Sequence, residues 1–104
     1  MADMGLKSIR VGDIDVAYRL EGPESASAVM LAHGLLTSHR IWEGVVRTLR
    51  QNWRLLSYDL RGHGGTTATA RAYTMEQLAG DAVGLLDALG IQRAHFIGLS
   101  LGGV

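Results

Sequence analysis

The 104 residues are 47% hydrophobic and 19% charged with a single proline, a composition that folds and that excludes a disordered or low-complexity segment. Ten Lys/Arg balance ten Asp/Glu and are scattered, so nothing marks a nucleic-acid or anionic-membrane binding surface, and no cysteine is present for disulfides, thiolate catalysis or metal binding. The length suits one small domain, the apolar stretches are too short to cross a bilayer, and the first residues lack a secretory pattern, so a cytoplasmic protein is expected.

Two strand patterns come first, Ser8 to Val11 and Ile14 to Leu20, joined by Gly12-Asp13, a pair suited to a tight hairpin turn. Ile14, Val16 and Tyr18 alternate with Asp15, Ala17 and Arg19, which places the first three on one side. After a turn at Glu21 to Ser25, Ala28-Val29-Met30-Leu31-Ala32 is an unbroken apolar run, the pattern of a strand covered on both faces. It ends at His33-Gly34-Leu35. Ser38 is placed to cap a helix running to about Arg50, with Ile41, Trp42, Val45, Val46 and Leu49 as its inner stripe.

Trp53 to Tyr58 reads as a second buried strand and opens into the glycine-rich loop Asp59 to Gly65. Within that loop Asp59 and Arg61 are placed to pair, and His63 to bond neighbouring backbone. A helix from Thr74 to Leu89 has the clearest signal: a capping box of Thr74 and Gln77, a staple of Tyr73 and Leu78, and Met75, Leu78, Ala82, Leu85, Leu86 and Leu89 at helical spacing. Gly90 follows as the left-handed stop, with Ile91 set to pack back on Leu86. Ala94 to Ile97 is then expected as a third buried strand.

This order implies an α/β fold: an antiparallel hairpin, then parallel strands with right-handed crossovers and helices on both faces. Ligands bind such sheets at the carboxyl ends of the strands. The loops at His33-Gly34-Leu35, Asp59 to Gly65 and Gly98 to Gly102 all fall at that edge.

Gly98-Leu99-Ser100-Leu101-Gly102 carries the chemistry. Gly-x-Ser-x-Gly directly after a strand is the sharp turn that raises a nucleophilic serine, and small residues two positions either side let strand and helix approach. By composition alone the pattern arises in roughly 3% of chains this long, so its position after a strand is what makes it informative. The bland alternative is an ordinary glycine turn with an idle Ser100. Leu35, after the buried strand and Gly34, is placed to offer a backbone N–H opposite that of Leu101, and the two amides form the expected oxyanion hole. His33 reads as a structural hydrogen-bonding group, and His39, His63 and His95 as satisfied structural histidines. The four histidines show no metal-ligand spacing. No G-x-G-x-x-G or P-loop pattern is present, so no cofactor is expected.

His33-Gly34-Leu35-Leu36-Thr37-Ser38, Asp59-Leu60-Arg61-Gly62-His63-Gly64-Gly65 and the run from Thr74 to Gly103 resemble the α/β-hydrolase superfamily, and within it 3-oxoadipate enol-lactonases and related lactonases and esterases. The resemblance covers nearly the whole chain. It implies a Ser–His–Asp triad in the order serine, acid, histidine, acting on a small ester or lactone through an acyl-enzyme. Ser100 matches the nucleophile, and Leu35 and Leu101 the oxyanion amides. The acid, the histidine and the cap helices would follow Val104. Residues 1–104 are therefore expected to be the N-terminal portion of one hydrolase domain and inactive by themselves. The aspartate-nucleophile dehalogenases are argued against by Ser100. A non-catalytic ligand-sensing or interaction protein on the same scaffold stays open at this point.

Overall fold

A computed structural model of the chain describes residues 5–69 and 73–99. Lys7–Val11 (β1) and Ile14–Glu21 (β2) form the hairpin, with Val11 opposite Ile14. A two-residue turn of this kind needs a left-handed position, and Gly12 supplies it at φ 57°. Ala28–Ala32 (β3) pairs in parallel with Arg54–Tyr58 (β4) and with His95–Gly98 (β5), while β2 joins β4 antiparallel. The strand order is β1-β2-β4-β3-β5.

A 3₁₀ turn at His39–Trp42 and a helix α1, Glu43–Leu49, connect β3 to β4, and helix α2, Met75–Ala88, connects β4 to β5. Successive side chains of a strand point to opposite faces. Val29 and Leu31 of β3 therefore join Leu55 under Val46 and Trp42. Ala28, Met30 and Ala32 turn the other way, into a larger core with Ile14, Val16, Tyr18, Leu56, Tyr58 and the α2 residues Ala82 and Leu85. The helices cover opposite faces, as the alternation of strands and helices predicts. No helix among the described residues is long and apolar enough to cross a membrane.

Helix α2 is bounded by the expected residues. The Thr74 hydroxyl accepts from the Gln77 amide at 3.0 Å, relieving one of the orphan N–H groups of the first turn. At the other end Gly90 takes φ 71° and the Ile91 amide reaches back to Leu86 O at 2.9 Å, with Ile91 buried beside it.

Arg61 departs from expectation. It does not pair with Asp59. Its guanidinium, 3% exposed, binds both oxygens of Asp81 on α2 at 2.8 and 2.9 Å and both oxygens of Asp13 in the hairpin turn at 2.9 and 3.1 Å. A planar fork with five donors can serve two carboxylates at once, and the expected partner Asp59 is engaged elsewhere. The hydrogen bonds from Arg61 hold the Asp13 carboxyl below its ordinary range, and those to Asp81 and Asp13 push the guanidinium further up. Hairpin, post-β4 loop and α2 are thereby fastened together.

Two further expectations fail on the α1 side. The segment predicted as one helix from Ser38 begins as the 3₁₀ turn, and only Val46 of its stripe is buried; Ile41, Val45 and Leu49 are exposed, and Trp42 is half-buried. Strand β5, expected to be buried, leaves Phe96 and Ile97 about half exposed (51% and 46%). The cause is common to both. β5 lies at the margin of the described sheet, and no described element covers its α1 side, so Val45, Leu49, Trp53 and Ile97 line an open apolar groove there, while Phe96, in register with Met30, is open at the same margin on the other face. His95 is likewise exposed, with its ring edge-on to Trp53 at 5.8 Å.

Candidate active site

Strand register brings the starts of the three loops together. Ala32 sits beside Tyr58 on one side and Gly98 on the other, so β3, β4 and β5 end in one row. The Leu99 amide then donates to Ala32 O at 3.0 Å, carrying the pairing one residue past β5. The chain therefore reaches Leu99 directly beside the start of the 33–38 loop. Ser100, Leu101 and Gly102 lie outside the described residues; Gly34, Leu35 and Gly98 lie within them, at this edge.

His33 is fully buried and fixes the loop that follows β3. Its Nε2 accepts from the Leu60 amide at 2.9 Å, which assigns the ring proton to Nδ1, and Nδ1 donates to Gly34 O at 2.7 Å. Burial holds its pKa below the ordinary value, reinforced by the neighbouring His63 ring, whose centroid is 5.0 Å away. With both nitrogens engaged, His33 has no lone pair free to take a proton from a nucleophile, in keeping with the structural part assigned to it from sequence. His63, through Nδ1 at 3.0 Å from Arg61 O, bonds neighbouring backbone as expected.

The Gly34 carbonyl receives a second donor. The Thr37 hydroxyl reaches it at 2.7 Å and lies 3.3 Å from His33 Nδ1. Between these anchors Leu36 adopts φ 63°, the left-handed region that costs a branched L-residue roughly 1–2 kcal/mol. The sequence offers glycine for this purpose only at position 34, so the strained residue could not be read in advance. Because the carbonyl and N–H of a trans peptide point in opposite directions, a Gly34 carbonyl held by His33 and Thr37 turns the Leu35 N–H the other way. Leu35 and Leu36 are exposed side chains, so the loop is held by polar contacts and not by packing.

Asp59 ties this loop to the next. Its Oδ1 accepts from the His39 amide at 2.7 Å and lies 2.8 Å from His39 Nδ1, while Oδ2 accepts from the Gly65 amide at 2.9 Å. Burial opposes ionisation of Asp59, but the His39 and Gly65 amides and the His39 ring outweigh it and keep the carboxyl below its ordinary range. Gly64, at φ 48°, lies against that carboxylate so closely that a Cβ would collide with it. Thr66 and Thr67 continue the loop along the part of β2 that β4 leaves unpaired: the Ala17 amide donates to Thr66 Oγ1 at 2.9 Å, and the Thr67 amide to Asp15 O at 3.1 Å. Sequence reasoning missed the Asp59–His39 pair and Thr37, since neither spacing carries a local signal. Among the described residues no group of three or more His, Asp or Glu could hold a metal ion.

Comparison with known proteins agrees with this frame. The family model for the alpha/beta hydrolase fold matches residues 27–104. The 3-oxoadipate enol-lactonase 1 of Acinetobacter baylyi is 37% identical over 89 residues, covering 86% of this chain and 33% of the relative. The bifunctional esterase/perhydrolase DCH of Acinetobacter calcoaceticus is 31% identical over 101 residues, covering 96% of this chain and 36% of the relative. In solved structures, the enol-lactonase from Burkholderia xenovorans LB400 superposes with a TM-score of 0.89 at 40% identity, over 92% of this chain and 38% of that one. The chain thus spans about a third of the length of the curated relatives it matches. A sheet of this order, helices on both faces, and a strand running into Gly98-Leu99-Ser100-Leu101-Gly102 place it: the chain belongs to the α/β-hydrolase fold family.

Proposed function

We propose that these residues carry the nucleophile and both oxyanion donors of a serine hydrolase that opens a small carboxylic ester or lactone, 3-oxoadipate enol-lactone being the leading substrate type. The observation that supports it most is the Leu99 N–H to Ala32 O bond, which puts the residue before Ser100 next to the loop bearing the Leu35 amide. In this reading Ser100 Oγ attacks the carbonyl carbon, and the Leu35 and Leu101 amides receive the negative oxygen of the tetrahedral intermediate. Collapse expels the alkoxide, which for a lactone stays on the same molecule, and water releases the acyl group. In this reading the base lies elsewhere in the protein: His33 is engaged at both nitrogens, His39 is buried against Asp59, His63 bonds Arg61 O, and His95 stands at the start of β5, the end away from Gly98.

Residues 1–104 are then the first part of one hydrolase domain, which the match to a third of the enol-lactonase supports. The substrate is a small molecule, with no cofactor, and the proposed setting is the cytoplasm. The test is hydrolysis of enol-lactone and p-nitrophenyl acetate by the natural protein carrying these residues. Ser100→Ala is expected to reduce turnover by about 10⁶-fold, as in a comparable triad. Turnover that survives the substitution refutes the reading.

A further inference from the structure

Thr37 sits in an exposed loop, contributes nothing to the core and has no part in the reading above, yet its hydroxyl lies 2.7 Å from the one carbonyl whose direction matters there. We propose that Thr37 is a positioning residue: together with His33 it clamps the Gly34 carbonyl and thereby aims the Leu35 amide at the oxygen that turns negative during turnover. The proposal rests on Leu35 serving as an oxyanion donor.

Three features of the loop support it. A single donor on a carbonyl leaves the peptide free to swing about that bond, whereas donors from two directions fix its plane, and with it the opposed N–H. His33 supplies the first donor and is itself held by the Leu60 amide, so its ring cannot turn. The Thr37 hydroxyl supplies the second from across the strained Leu36, closing the loop over the residue with most to gain by relaxing. Packing cannot do the same work, because Leu36 is 90% and Leu35 60% exposed.

Preorganised donors stabilise a transition state only if they are already aimed before charge develops. Loss of the Thr37 tie therefore lowers kcat and leaves KM nearly unchanged, since the ground-state substrate makes little use of the hole. The experiment compares the natural protein with Thr37→Val, Thr37→Ser and Ser100→Ala, reading kcat and KM for p-nitrophenyl acetate, the inhibition constant of a trifluoromethyl ketone, and the melting temperature. Thr37→Val removes only the hydroxyl and is expected to lower kcat about tenfold, the worth of one well-placed hydrogen bond, with KM within about twofold. Ketone affinity, which needs the same hole, falls in parallel, and Thr37→Ser restores both. The melting temperature stays with the parent in both variants, because the site is exposed. Unchanged kcat in Thr37→Val overturns the proposal; so does a loss that Thr37→Ser shares, a loss confined to KM, or one that follows a lowered melting temperature. Activity in Ser100→Ala instead strikes the hydrolase reading itself, so the two failures are told apart.

Discussion

The two faces of the sheet answer the same kind of sequence differently. On the α2 side, helical and strand periodicities both end in burial: Leu85, Leu56 and Ile14 are fully inaccessible, and Arg61 fastens helix, hairpin and loop from within. On the α1 side, an equally regular stripe leaves Val45 and Leu49 exposed beside Ile97. Periodicity tells which residues share a face. Whether that face is buried depends on what stands opposite, and that is not a local property.

Substitutions on the closed side are expected to have the largest effects. Arg61→Ala strands the buried Asp81 carboxylate and is expected to cost about 3–5 kcal/mol in urea unfolding of the natural protein. Leu85→Ala opens a cavity under α2 and should cost about 3 kcal/mol. Thr74→Ala removes only a cap and should cost about 1 kcal/mol. Equal losses across the three would mean that the α2 side is not held as described.

The open side is tested by association. The 104 residues expressed by themselves are expected to sediment as dimers or larger species, since no described element covers the outer edge of β5 or its apolar groove. Ile97→Lys should shift them towards monomer with little change in stability. A parent chain that stays monomeric at all concentrations would contradict the open edge.

A gentler probe is pH. His33 is held neutral by burial, so the folded state releases its proton more readily than the unfolded chain. Its contribution to stability is complete above its ordinary value of 6.5 and is lost as pH falls from there through the lowered native value. Asp59, with its carboxyl held below 3.8, contributes fully above that value and loses its share in stronger acid. Melting temperature should accordingly be flat from about pH 6.5 up to the ionisation of tyrosine, which burial opposes at Tyr58, and decline in two stages below pH 6.5. A melting temperature that rises on going from pH 7 to pH 5 would reverse the assigned state of His33.

Much of this was legible in the residues. Gly12-Asp13 announced the hairpin, Thr74 and Gln77 the start of α2, Gly90 its end, and the run Ala28 to Ala32 a strand covered twice. Those signals act within a few positions. Arg61 choosing Asp13 and Asp81 over Asp59 spans 48 and 20 residues, and no pattern of neighbours contains it. The candidate site divides in the same way: His33-Gly34-Leu35 stood out beside the serine motif, whereas the strained Leu36 and the hydroxyl that bridges it follow from where the Gly34 carbonyl ends up pointing.

The most direct test is a crystal structure of the natural protein after reaction with a fluorophosphonate, which mimics the tetrahedral intermediate. Phosphorus is expected bonded to Ser100 Oγ, with the phosphoryl oxygen about 2.7–3.1 Å from the Leu35 amide nitrogen. An adduct whose oxygen turns to solvent, or no adduct at Ser100, would contradict the proposed site.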